Sequence, residues 1–192
     1  MIKKFFGHLS KVLRHKWWVF YYCCKAGIPM RGILHDMSKF SPAEFFENIK
    51  YYHKTKSPIV VCKEKNGYSK AWLHHRGRNK HHYEYWVDNL DHGGKPIIMP
   101  YKYTIEMLCD YLAAGKVYDG QKFTFQQEYQ WWKKHRNTCA MHQVQKQFLD
   151  QTFSNLAMHG EMALAKNVLI SNYYCAHNQY IVRQKFVSKE KD

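Results

Sequence analysis

An all-α, single-domain fold is the expectation for this sequence, and three observations carry it. Apolar residues recur at helical spacing, as in Leu9, Val12, Leu13, Val19, Phe20 and Cys23. Helix stops and starts follow in order. Gly27-Ile28-Pro29 closes the first stretch, and Ser41-Pro42-Ala43-Glu44 opens another with the serine, proline and glutamate of a capping box. A chain of 192 residues, 45% hydrophobic and 17% aromatic, has enough apolar material for one well-cored domain and too much for disorder. The domain is read as residues 1–192, with a site-bearing core over 1–122 and a C-terminal helical extension over 123–192.

The first helix is expected over 3–26. It carries His15, read as a partly exposed polar position beside Lys16. A short helix over Arg31–Lys39 carries His35 and Asp36, and Lys39 follows His35 by one helical turn, so both point to one side. A third helix runs from Pro42 to about Lys54. Residues 55–69 read as a loop with a brief extended piece at Ile59–Cys62. Between Ala71 and Trp86 four of the thirteen histidines crowd together, with His74 and His81 seven residues apart, as are His75 and His82. Each pair shares a face if the helix is continuous, and Gly77 marks a bend. A turn-rich connector follows over 88–100. A strong helix starts at Tyr103, turns Ile105, Leu108 and Leu112 to the core and stops at Gly115–Gly120. Further helices are expected over Phe125–Arg136, Gln143–Phe153, Asn155–Lys166 and Val168–Tyr180, with Trp131, Trp132, Phe148 and Leu149 as core. The tail Lys185–Asp192 is charged and expected to fray.

Composition narrows the function classes. The formal charge of +15 favours an anionic partner, and the lysines are spread along the chain without a basic tail. Six cysteines include no C-x-x-C pair, which favours a reducing cytoplasm over a disulfide framework; Cys24 and Cys109 read as buried thiols. The N-terminus turns polar at His8 and Ser10, unlike a secretory signal. The longest apolar run, Trp17 to Cys24, is too short to span a bilayer.

Chemistry concentrates at His35-Asp36. An imidazole beside a carboxylate suits a divalent cation, and Lys39 supplies a positive charge for an anionic substrate group. The cluster His74, His75, His81 and His82 is flanked by Trp72, Tyr83, Tyr85 and Trp86, so these imidazoles are expected to be semi-buried and to need a metal or phosphate partner. Asp110 interrupts an apolar helical pattern. It is either an exposed carboxylate or a metal ligand.

In order, His15, His35-Asp36 with Lys39, the histidine cluster and Asp110 resemble the HD superfamily of metal-dependent phosphohydrolases. The His-Asp-x-x-Lys form is similar to the HD-GYP branch, although the Gly-Tyr-Pro element is absent. Closer still are bacterial and phage proteins carrying H-D-x-S-K-F-S-P-x-E-F and N-x-H-H-x-E-Y-W, some of them labelled catalase; nothing in this chain is recognisable as a haem site. The resemblance covers roughly residues 10–120 and implies an HD-like helical bundle. It further implies that His15, His35, Asp36 and Asp110 hold one divalent ion, and that Asp36 bridges to a second held by His75 and His81. One or two ions of Mn, Fe, Zn, Co or Ni are the implied cofactor.

The leading expectation is hydrolysis of a phosphate ester, a nucleotide or related small phosphorylated compound. Lys39, Arg76, Arg78 and Lys80 would bind the substrate, and His82 or His74 would protonate the leaving oxygen. An HD-type di-iron oxygenase is the second reading. A non-catalytic, basic, helical nucleic-acid-binding protein is the third.

Overall fold

The computed structural model describes residues 2–189, with side chains through Lys185. Among them the protein is all-α. Nine α-helices run as α1 (Ile2–Lys25), α2 (Pro29–Leu34), α3 (Pro42–Lys50), α4 (Pro58–Asn66), α5 (Lys70–Arg78), α6 (Tyr101–Asp119), α7 (Phe125–His135), α8 (Gln143–His159) and α9 (Lys166–Lys189). The one sheet is a two-residue antiparallel pair in the 88–100 connector, with Val87 opposite Pro96 and Asp88 opposite Lys95. No described helix is long and apolar enough to cross a membrane.

The central pair is α1 against α6. Val19, Tyr22 and Cys23 of α1 meet Ile105, Leu108, Cys109 and Leu112 of α6 in a fully buried seam. Each large side chain buried this way stabilises the fold by about 1.5–3 kcal/mol. Short α2 crosses α1 at Gly32, where a Cβ would lie 2.7 Å from the Phe20 Cα, so only glycine allows the approach.

The C-terminal helices brace α6 from behind. Gln145 of α8 and Tyr173 of α9 both donate to the Met99 carbonyl just before α6, at 3.0 and 2.6 Å. Asp150 of α8 accepts from Trp132 Nε1 and Arg136 Nε, both at 2.8 Å, which fastens α7. The extension therefore supports the α1–α6 seam.

Several elements differ from the sequence reading. The 55–69 loop contains α4, with Pro58 in its first turn and Gly67 in the left-handed conformation at its end. The third helix stops at Lys50, four residues early. Helix α8 continues unbroken from Gln143 through His159. Trp131, expected in the core, is exposed, and so is Cys24, expected as a buried thiol. The fraying expected for Lys185–Asp192 falls largely outside the described side chains.

Helix α6 also passes through Gly115 instead of ending there. The glycine serves packing there and not a helix end: the Glu128 carboxyl of α7 lies where a Cβ on residue 115 would be. Burial, with Asp119 adding like charge, raises the Glu128 carboxyl from 4.5 to about 7. Between those values the folded chain holds a proton that the unfolded chain has lost, so stability falls as pH rises through this window and stays lower above it. Glu128→Gln is expected to raise the melting temperature by roughly 2–4 °C at pH 8 and to change it little at pH 5. An equal shift at both pH values in thermal melts would contradict the buried-proton account.

Candidate metal centre

The site forms where α1, the α2–α3 turn, α5 and α6 meet. Helix α2 ends at Leu34, so His35 is its cap and not part of a helix running to Lys39. Asp36 then adopts φ 54, ψ 30, a left-handed conformation that costs a non-glycine residue roughly 1–2 kcal/mol, least for Asp and Asn. A 3-10 turn over Met37–Phe40 follows and brings Lys39 Nζ to 2.6 Å from Asp36 Oδ2. Lys16 of α1 holds this turn by donating to the carbonyls of Ile33 (2.6 Å) and His35 (2.9 Å), a basic cap on a helix C-terminus.

Helix α3 clamps α5. Glu47 accepts from the Ser69 hydroxyl (2.7 Å) and the Ala71 amide (3.0 Å) at the start of α5. One turn earlier, Glu44 accepts from His74 Nδ1 (2.7 Å) and His75 Nδ1 (2.8 Å). The expected capping box is therefore not made: Ser41 caps nothing with its side chain, and Glu44 serves the histidines instead. Helix α5 ends at Arg78, and the chain turns before His81 and His82, so the seven-residue pairs are not on one continuous helix.

Asp36 is the hub. Its Oδ2 lies 3.1 Å from His35 Nε2 and 3.9 Å from His15 Nε2, and its Oδ1 lies 3.2 Å from His75 Nε2 and 3.4 Å from His81 Nε2. From α6, Asp110 Oδ1 approaches His15 Nε2 at 2.9 Å and His35 Nε2 at 3.6 Å. None of these contacts is a hydrogen bond, and those at 3.6 and 3.9 Å are too long to be one. Nε2 of His15, His35, His81 and His82 is buried without a hydrogen-bond partner, as are both oxygens of Asp36, of which Oδ2 has the Lys39 ion pair and Oδ1 faces only imidazoles. Buried polar groups are ordinarily satisfied, so this many facing one point indicate that something else belongs between them. Among the described residues three groups have donor atoms all within 4.8 Å of one another: His15, His35, Asp36 and Asp110; Asp36, His75, His81 and His82; and His35, His81 and Glu106. Each could hold a metal ion, and the two four-residue groups share Asp36.

Behind the imidazoles stand two buried carboxylates. Glu106 accepts from His35 Nδ1 at 3.1 Å, lies 3.3 Å from His81 Nδ1, and is held from the other side by Arg31 Nε at 2.7 Å. Burial works against its charge, but the His35 and His81 contacts prevail and hold its carboxyl at about 2. An ionised carboxylate only accepts, so each Nδ1 must donate and each neutral ring turns its Nε2 lone pair to the centre. This carboxylate–imidazole arrangement orients metal-binding histidines.

The charges follow from the geometry. Burial opposes ionisation of Asp36, yet His35, Lys39 and His75 hold its carboxyl well below the usual range, and Asp110 is held low through His15 and His35. Burial likewise opposes protonation of His35 and His75, but Asp36 overcomes it: His35 lies well above the ordinary value, and His75 at about 9. Burial and Lys39 push His15 down to about 4. Burial and His81 push His82 far down, so His82 is a neutral ring. Two buried carboxylates thus demand positive charge at the centre, as shared protons or as a bound cation.

Other residues singled out in the sequence lie elsewhere. His15 is buried, not half-exposed. His74 stays at the edge on Glu44, with a side chain 22% exposed. Arg78 and Lys80 border a separate cavity of about 370 Å³ beside Arg31 and Glu106. Arg76 lies toward Glu84. Lys39, His15 and Asp110 instead line a cavity of about 230 Å³ between α1, α3, α4 and α6. Sequence reasoning missed Glu44, taken for a cap, and Glu106, whose visible signal was its place one helical turn before Asp110.

No curated protein and no solved structure matches the chain. A family match does cover residues 4–155, from the start of α1 into α8, and so includes every residue of the centre. The chain belongs to the family of unknown function DUF5662.

Proposed function

We propose that this protein is a metal-dependent phosphohydrolase whose centre holds one or two divalent ions through His15, His35, Asp36 and Asp110 on one side and His75, His81 and His82 on the other. One observation carries the reading: unpartnered Nε2 atoms face Asp36, and buried carboxylates fix the His35 and His75 rings from behind. The mixed nitrogen and oxygen donors suit Mn, Fe, Zn, Co or Ni. The likeness to the HD superfamily implies the same set without His82, in the same order along the chain.

When bound, such ions lower the pKa of a coordinated water and polarise phosphoryl oxygens. The chain supplies the rest. Asp110 borders the cavity and, as a ligand with its carboxyl held low, would orient the attacking water without taking its proton. Lys39, at the cavity wall, balances charge on the phosphoryl oxygens. Water adds to phosphorus as the ester P–O bond breaks, and the proton it gives up ends on the leaving oxygen. His74 does not border this cavity, and His82 is better placed as a ligand than as a proton donor. Six free cysteines fit a reducing cytoplasm.

Elemental analysis of purified protein, followed by a hydrolysis screen over nucleotides and small phosphate esters, tests the proposal. The expected result is at least one equivalent of a transition metal per chain and chelator-sensitive phosphate release. Protein purified under metal-replete conditions that carries none would refute it. So would iron with oxygen-dependent turnover and no hydrolysis.

A further inference from the structure

His8 has no role in the metal centre, yet it is 4% exposed on the first turns of α1, and neither ring nitrogen has a hydrogen-bond partner. A buried imidazole with both nitrogens idle forgoes the satisfaction that such groups nearly always find. It lines the 230 Å³ cavity that also reaches His15 and Asp110. Lys11 and Lys39 border the same space, and Asn48 completes its polar wall. Lys11 Nζ donates to the His53 carbonyl at 2.8 Å and lies 4.8 Å from the Tyr118 ring centre, which steadies the ammonium at the exposed end while donors remain free.

We infer that this cavity is the substrate entrance and that His8, Lys11 and Lys39 form an anion subsite selecting compact, phosphate-bearing small molecules. The inference rests on the proposed hydrolytic reading of the centre and adds where the substrate lies and what class it is. Size favours small molecules over a duplex. The cavity falls below the ~300–1,000 Å³ of sites that enclose drug-sized ligands, and no nucleic-acid duplex enters such a space. Charge decides for an anion: two lysines face the space, and an imidazole offers one donor and one acceptor, the acceptor suited to a protonated phosphate oxygen. The basic residues near the histidine cluster in sequence, Arg78 and Lys80, border a different cavity and take no part.

The test measures binding of inorganic phosphate by calorimetry, and KM for small phosphate esters, in wild type, His8→Ala, His8→Gln and Lys11→Met, with metal content and melting temperature recorded for each. His8→Ala and Lys11→Met should each weaken phosphate binding and raise KM about ten- to hundred-fold, as loss of a charge-assisted hydrogen bond does, with metal content unchanged. His8→Gln, which keeps a donor and an acceptor, should recover most of the loss. Folded His8→Ala and Lys11→Met proteins with wild-type phosphate affinity would overturn the subsite. Equal cleavage of a twelve-nucleotide strand and of small esters would overturn the size selection. Metal-free wild type without turnover would defeat the hydrolase reading instead, and the phosphate titration would still report on the subsite.

Discussion

Asp36→Asn is expected to empty the centre, with bound metal falling below a tenth of the wild-type amount and phosphate release becoming undetectable. Asp36 is shared by the two four-residue ligand groups, so one substitution strikes each of them. Asparagine is the informative replacement because it tolerates the left-handed backbone at this position, φ 54, as well as aspartate does. What changes is the charge. An amide nitrogen would take the place of one carboxylate oxygen and could not act as a ligand there. Lys39, 2.6 Å from Oδ2, would lose its counter-ion in a largely buried place. Breaking a buried ionic set from one side costs about 3–5 kcal/mol, so the variant should also melt well below wild type. Metal analysis together with a thermal melt reads both effects. A variant that kept its metal would show that Asp36 is a structural anion for Lys39 and the histidines and not a ligand.

The residue types of the site were legible in the sequence; their backbone was not. His35-Asp36 offers a metal-ligand pair by residue type, but the helix assumed across it breaks, because His35 has extended ψ and Asp36 is left-handed. No local pattern encodes that turn. It is fixed by Lys16, nearly twenty residues earlier, and by the close crossing that Gly32 permits. Glu44 matched a capping box because that motif depends only on spacing, whereas its real partners, His74 and His75, come from another helix. Arg76, Arg78 and Lys80 looked like substrate ligands through nearness in the chain. The end of α5 at Arg78 and the turn before His81 leave them outside. His8 carries no local signal at all: only the packing of α1 beside α3 and α4 shows that its ring is buried without partners. Fold class, by contrast, rests on periodicity summed over long segments, and such a sum survives errors at individual boundaries.

Glu106→Gln should weaken metal binding about ten- to hundred-fold while leaving every ligand of the proposed centre in place. The Glu106 carboxylate accepts from His35 Nδ1 and from Arg31 Nε, so its two oxygens join a ligand to an anchoring cation. A neutral amide can accept with its oxygen from only one of these sides. If that oxygen faces Arg31, the NH₂ group meets His35 Nδ1, and the imidazole must move its proton to Nε2, where it blocks the metal. If the oxygen faces His35, Arg31 confronts a donor and leaves. Either way the ring loses the negative charge that strengthens Nε2 as a ligand. Glu44→Gln is the matched experiment on the other side, acting through His75. A competition titration with a chromophoric chelator measures the affinities, and an ordinary melting temperature would show that the fold has survived. Unchanged affinity in both variants would mean that the imidazoles hold their orientation without the carboxylates behind them.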